Sequence, residues 1–535
     1  MRKFSIYIIT ISLLVLSGCK DFLETESLST STVDNYYKTP QQAFSALVGC
    51  YDGLQAVWGG VGLPVVAEVI SDNTFAGTGS TDADDYVMLD EFDKTKAPSF
   101  QSFFNDTWIA YYKAIYRCNI LLERLDQVNW GDQIALKTTY EAEARFLRAA
   151  MYFDMVRLWG NIPLLTEPSA DNIPQADPQV VYAQIAQDLV FASENLTATT
   201  YTNQPAATHG RASKWAAESL IGRVYLYYTG YYQQADLAGV VTKAQALAYL
   251  EDVIANSGHG LVSTFANLWP AASISNYAGE DNNETVFAIK YTYTSDYTTG
   301  NADGNRWLVN LGLRGDKFYP YGDGWGFATV NPKLWDAFKD TDTRKVASII
   351  SVDGENIPAE KLIVGQKEYT GYYGKKYIPM INKDGSSVSQ TLGAAAGHNT
   401  DNQISQFQDY VVIRYADVLL MAAELGSANA QSYFDQVRQR AYGSNFTQIP
   451  VSQENIMSER RLEFALEGIR YWDLLRQGVD VAASTIAETT QLLTAGAEVT
   501  VKITAAKILE TKGLQQIPAT QISLSNGVLK QNAGW

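Results

Sequence analysis

The chain has 535 residues, 46% of them hydrophobic, with 41 basic against 58 acidic side chains for a net charge of −17. That is more than one standard domain and ample material for a core. The absence of a basic tract argues against a nucleic-acid partner, and an acidic surface is repelled by anionic lipid heads. No long Pro/Gly/Ser linker splits the chain, so one large domain, or two halves sharing a core, fits best. Tyrosine is abundant, at 33 residues. A flat apolar ring with a polar handle suits specific recognition, so an aromatic-rich chain points to a binding surface.

The N-terminus reads as a targeting segment. Arg2 and Lys3 precede the apolar run Phe4 to Leu16, which is too short to span a bilayer, and Leu16-Ser17-Gly18-Cys19 follows. Residues 1–18 are therefore expected to be a signal peptide. The cysteine directly at the cleavage site resembles a bacterial lipoprotein lipobox, which makes Cys19 the expected lipidation site. Loss of Arg2 and Lys3 takes the net charge from −17 to −19. A polar, flexible tether covers residues 19–34. Cys50 and Cys118 both fall in predicted helices. They could pair outside the cell or remain free buried thiols, and spacing alone does not choose. There is no Cys-x-x-Cys and no zinc pattern.

Apolar residues at steps of three and four predict helices from about Thr39 to Leu54, Phe103 to Leu125, Glu141 to Trp159, Val180 to Leu196 and Arg211 to Tyr232. Gly160 and Pro163 end the third. Gly222-Arg223-Val224-Tyr225 matches the small-residue core of a tetratricopeptide first helix, and Ala430 with Phe434 matches a second helix, after the apolar helix Tyr415 to Glu424. Paired helices at both ends of the chain make a helical-repeat scaffold, although no 34-residue period survives.

Between them, residues 265–327 hold 13 aromatics in 63 positions, about a fifth, with poor periodicity. Thr285 to Thr294 alternates like a strand. Gly300-Asn301-Ala302-Asp303-Gly304 and Gly322-Asp323-Gly324-Trp325-Gly326 read as loops, and aromatics on surface loops cannot all be core. Glu459 to Gly478 reads as one buried helix with an ion-paired, solvated rim. Its flaw is Gly468, which implies close packing against the backbone. A further helix is expected around Ala482 to Leu493.

Several stretches, in order, resemble the SusD/RagB family of Bacteroidetes outer-membrane lipoproteins. They are the lipobox at Cys19, Tyr37-Lys38-Thr39-Pro40, Glu143 to Ala149, Arg157 to Pro163, Arg414 to Leu420, Glu459-Arg460-Arg461 through Leu474, and Gln531-Asn532. Residues 351–402 show no family pattern. The resemblance implies a mainly α fold, with about four tetratricopeptide-like helix pairs and an irregular, loop-rich ligand-binding lobe. A single domain would cover 35–535, with the scaffold at about 35–256 and 410–495 and the lobe at about 257–409. It also implies capture of glycan at the cell surface and its delivery to a TonB-dependent (SusC-like) transporter, without catalysis. Lys20 and Asp21 after the cysteine look like the family's surface-export signal, so the protein would face the exterior.

Sugar C–H faces lie flat on aromatic rings, while hydroxyls ask for polar edges. The candidate faces are Trp269, Tyr277, Tyr293, Tyr297, Trp307 and Trp325, and the candidate edges are Asn301, Asp303, Asn305 and Arg306. The family's ligand face also draws on N-terminal loops, which adds Trp58, Asp72, Asn73, Phe75 and Tyr86. No cofactor is expected. Asp82-Ala83-Asp84-Asp85 leaves a structural calcium open, but it lacks EF-hand spacing. No carboxylate pair, nucleophile motif or phosphate loop singles itself out. The alternatives carried forward are peptide capture on the same architecture, a protein-interaction scaffold and a surface glycanase.

Overall fold

The computed structural model describes residues 36–59, 62–169, 171–296 and 301–535, and within them the chain is mainly helical. Helix α1 (Pro40–Gly59) begins at the Thr39-Pro40 step. The Thr39 hydroxyl accepts from the Gln42 N–H at 3.3 Å, while the Gln42 side chain accepts from the Thr39 N–H at 3.1 Å, a reciprocal cap that explains the Lys-Thr-Pro signature. α1 packs on α2 (Asn105–Arg124), α3 (Ile134–Trp159) on α4 (Pro178–Asn195), and α5 (Lys214–Tyr232) on α6 (Lys243–Asn256). Later in the chain α7 (Tyr415–Glu424) packs on α8 (Ala430–Tyr442). Each pair also touches the next, through α2 with α3, α4 with α5 and α6 with α7.

Gly222 has the expected role. A Cβ built there would stand 2.7 Å from a Leu250 methyl, so a larger residue would force Leu250 to shift where α6 closes on α5. Gly160 ends α3 with φ of +69°, and the helix end is then locked by the C-terminus. The Asn532 side-chain amide donates to the carbonyls of Trp159 at 2.9 Å and Gln515 at 2.7 Å.

The lobe between α6 and α7 has little regular structure. Its ends are tied by β1 (Thr285–Ile289) pairing antiparallel with β2 (Tyr410–Arg414). The helix expected over Ala482 to Leu493 is not formed as such. A helix covers Val479–Ile486, and then β3 (Glu488–Thr494) folds back on β4 (Ala497–Ile503) around Ala495-Gly496. Both turn residues have positive φ, +51° and +82°, and the flanking threonines and valines favour a pleated ribbon over a helix.

The Glu459–Gly478 stretch also departs from expectation. It is two helices, α9 (Gln453–Glu463) and α10 (Arg470–Leu475). Leu466, at φ +65°, and Gly468, at φ +73°, make the break. A Cβ on the glycine would sit 2.6 Å from that of Pro64, and the Gly468 N–H donates to the Glu68 carboxylate at 2.6 Å. The crowding inferred from the glycine is real; the continuous helix is not. Nor is the charged rim solvated. Glu463 accepts from Arg344 at 3.0 Å and Arg414 at 2.8 Å, and also from Arg440. Glu467 pairs with Arg414 at 2.9 Å and Lys376 at 2.6 Å, and Arg460 bridges Asp417 and Asp473 at 2.5 and 2.8 Å. All of these side chains are buried. The Arg414-to-Leu420 and Glu459-Arg460-Arg461 signatures are thus the two halves of one buried ionic core.

That core sets a pH dependence. Although burial opposes it, Arg440, Arg414 and Arg344 hold the Glu463 carboxyl well below the ordinary carboxylate range. Its contribution is therefore present above the unfolded value and is lost only at strongly acidic pH. Burial outweighs the other influences on several acids: it pushes Glu68 and Glu368 up to about 7 and, with Asp409 beside it, Glu280 up to about 8, from 4.5. Between the unfolded and folded values of these groups, the folded state binds more protons than the unfolded, so stability falls as pH rises. His259, lowered by burial, works the other way below 6.5, but it is one group against several. Thermal melts should therefore give a higher midpoint near pH 5.5 than near pH 8. A midpoint rising steadily across that window would contradict the assignment.

Candidate ligand-binding face

The structure separates the sequence-nominated residues into buried and exposed sets. Trp58, Phe75, Tyr86, Trp269 and Trp307 are buried. Trp58 and Trp307 stack with centroids 6.1 Å apart, and the Trp307 indole N–H donates to the Trp58 carbonyl at 2.6 Å. Trp269 and Trp307 both lie edge-on to Tyr377, at 5.4 and 6.0 Å. These rings form the seam between scaffold and lobe, and at 1–6% exposure they offer no face to a sugar.

The polar N-terminal candidates are also structural. Asp72 pairs with Arg470 at 2.7 Å and Arg461 at 2.9 Å; against the effect of burial, these cations hold its carboxyl below the usual range. The Asn73 side chain accepts from Arg461 at 3.2 Å. Asn305 donates to the Gln408 carbonyl at 2.9 Å and caps the Trp307 N–H at 3.2 Å. Asp82 pairs with Arg314 and Asp84 with Lys367, and among the described residues no three His, Cys, Asp or Glu side chains stand close enough to hold a metal. Cys19 and Tyr297 lie outside the described residues. Asn301 is placed by its backbone pairing with Asp296.

Tyr277, Tyr293, Asp303, Arg306 and Trp325 remain partly exposed. Burial, then the adjacent Glu280, raises the Tyr277 hydroxyl, so Tyr277 belongs to a polar cluster with Glu280. The other four lie in or near a paired stretch and a neighbouring loop. Residues 292–296 pair antiparallel with 301–303: Thr292 donates to the Asp303 carbonyl at 2.9 Å and Asp303 to the Thr294 carbonyl at 3.3 Å. On the first of these paired segments, the Tyr293 ring lies 5.7 Å from that of His398 and 6.2 Å from that of Phe407. Past Asp303, the Arg306 guanidinium stands 5.1 Å over the Trp325 ring. Trp325 is 6.0 Å from Phe327, Phe327 is 4.4 Å from Tyr86, and Tyr86 is 5.2 Å from Phe103. The half-buried Phe103, Phe327 and Phe407 and the exposed His398 were not nominated from sequence. Phe327 closes the aromatic-rich stretch and could have been. Phe103 and Phe407 reach the face only through tertiary packing.

The glycines explain how Trp325 is held outward. Its N–H donates to the Val309 carbonyl and that of Phe327 to Asn310, both at 2.8 Å. A Cβ on Gly324 would lie 2.3 Å from the Val309 oxygen, and one on Gly322 2.9 Å from Pro379. The loop therefore lies flat on its neighbours and presents Trp325 from a fixed backbone. The result is two aromatic groups, Trp325 with Phe327 and Arg306, and Tyr293 with Phe407 and His398, and the partly exposed Asp303 adds a further polar edge. By contrast, an enclosed cavity of about 60 Å³ next to Trp58, Tyr410 and Trp472 is too small for a sugar ring.

Comparison with known proteins agrees with this architecture. The sequence profile described as SusD family matches residues 283–535, and one described as starch-binding associating with outer membrane matches residues 63–226. A SusD-like protein of Formosa agariphila is 27% identical over 504 residues, covering 86% of this chain and 87% of that one. The solved structure of a laminarin-binding SusD-like protein superposes with a TM-score of 0.72 at 27% identity, covering 93% of this chain and all of that one. Surface glycan-binding protein A of Bacteroides thetaiotaomicron, solved with laminarihexaose, gives 0.73 at 22% identity and 93% coverage, and so supports the fold. With its helix pairs, its tied lobe and these matches along nearly its whole length, the chain belongs to the SusD/RagB family of outer-membrane-associated proteins.

Proposed function

We propose that this protein captures glycan at the cell surface on the aromatic groups around Trp325 (with Arg306 and Phe327) and Tyr293 (with Phe407 and His398), with Asp303 as a further polar edge, without catalysis. It would hand the bound chain to a TonB-dependent transporter in the outer membrane, while a lipid on Cys19 tethers it facing outward. The observation that carries the reading is the loop-borne Trp325, braced by Arg306 on a backbone that glycines hold flat. Stacking on such a ring and hydrogen bonding at its edge is the chemistry a neutral sugar chain asks for. The laminarin-binding relative makes a β-glucan the first ligand to try. No helix among the described residues is long and apolar enough to cross a membrane, which fits attachment through the N-terminal cysteine.

Trp325→Ala tests the face. Because the ring is only half-buried, the variant should melt within a few degrees of wild type while glycan affinity falls by about tenfold, or about 1.4 kcal/mol. Calorimetry with a responsive oligosaccharide reads this directly, and unchanged affinity removes Trp325 from the site. Sustained release of reducing sugar from any bound glycan would sink the non-catalytic reading.

A further inference from the structure

Cys50 lies on α1 and Cys118 on α2, and both side chains are fully buried. The two helices cross closely at this level, with antiparallel register. The Arg117 guanidinium donates to the Gly49 carbonyl at 2.9 Å and meets Asp52 at 2.5 Å. One turn further along α1, a Cβ on Gly53 would lie 2.8 Å from that of Ala114. Cys50 falls between these two contacts on α1, Cys118 follows Arg117 directly on α2, and their thiols lie within hydrogen-bond reach of one another. A disulfide needs facing Cβ vectors on backbones that approach closely, and a glycine–alanine crossing supplies that approach.

We propose that Cys50 and Cys118 are joined by an intramolecular disulfide in the exported protein, fastening the first helix to the second. The bond forms by exchange with a disulfide-bearing oxidant outside the cytoplasm. One thiolate attacks a sulfur of the oxidant, giving a mixed disulfide and releasing one thiol. The second thiolate attacks the protein sulfur of that mixed disulfide and releases the other. The two protein thiols lose two protons and two electrons, and the oxidant's disulfide leaves as two thiols. In the folded protein the hydrogen bond between the thiols, together with burial, raises the Cys50 thiol well above its ordinary value. A protonated, buried thiol is a poor nucleophile, so closure belongs to folding, before α1 docks, and the finished bond is shielded from later exchange. The closed loop spans about 68 residues, long enough for the cross-link to restrict the unfolded chain substantially.

The test uses the full-length protein isolated from cells that export it, denatured and alkylated before any reduction, then digested. The expected result is a linked peptide pair containing Cys50 and Cys118, which separates on reduction. Reduced wild type and the Cys50→Ala variant should share a melting midpoint lower than that of untreated protein by roughly 5 °C. Alkylation of both cysteines with no linked pair would overturn the proposal. So would an untreated midpoint that neither reductant nor Cys50→Ala lowers.

Discussion

Replacing Glu463 by alanine is expected to leave little folded protein. Its carboxylate is the common acceptor for Arg344, Arg414 and Arg440, and none of the four side chains is more than 3% exposed. Arg344 retains Asp342 and Glu459, and Arg414 retains Glu284 and Glu467, but the site as a whole loses one negative charge among three cations. Removing one partner from a buried ion pair costs about 3–5 kcal/mol, because the other charge stays desolvated. Here several partners lose it at once, against a total stability of about 5–15 kcal/mol for a typical domain. A urea or thermal melt should show a fall of at least that size, or no cooperative transition. The exposed Glu454→Ala, at the start of the same helix, should change stability by less than about 0.5 kcal/mol. A Glu463→Ala variant that melts like wild type would mean that the ionic core is dispensable.

The second large effect is Trp307→Ala. This ring is 2% exposed, stacks on Trp58, lies 4.5 Å from Tyr410, and gives its N–H to the Trp58 carbonyl. Its removal empties the seam between scaffold and lobe, and large aromatic-to-alanine changes in a core cost about 3–5 kcal/mol. Any loss of glycan binding in this variant should therefore follow loss of folding. Trp325→Ala should show the reverse pattern, weak binding on an intact fold. Equal behaviour of the two variants in melts and in binding would contradict the division between buried and presented aromatics.

Much of the scaffold was legible in the sequence because it rests on local periodicity. The helix over 415–424 appears with the expected bounds, and Gly222 and Gly160 do what their positions implied. What failed depended on distant partners. The charges from Glu459 to Arg476 read as a solvated rim because their partners, Arg344, Arg414 and Arg440 for the glutamates and Asp417, Asp72 and Glu424 for the arginines, come from elsewhere in the chain. Gly468 signalled crowding, but its positive φ, which helps to split the helix, follows from Pro64 and Glu68 some four hundred residues earlier.

The binding face was legible as a region and not as a residue set. Composition located the aromatic loops, and Trp325 with Arg306 did emerge at the surface. The same signal nominated Trp269 and Trp307, which tertiary packing takes inside, while Phe407 and His398 join the face from residues with no local aromatic pattern.

The most direct measurement is calorimetric titration of the folded protein with a panel of oligosaccharides, β-glucans first, and with peptides as controls, repeated on Trp325→Ala. The account expects saturable binding to one glycan class, with affinity lowered about tenfold in the variant. Binding to peptide alone, or glycan binding that Trp325→Ala leaves unchanged, would contradict it.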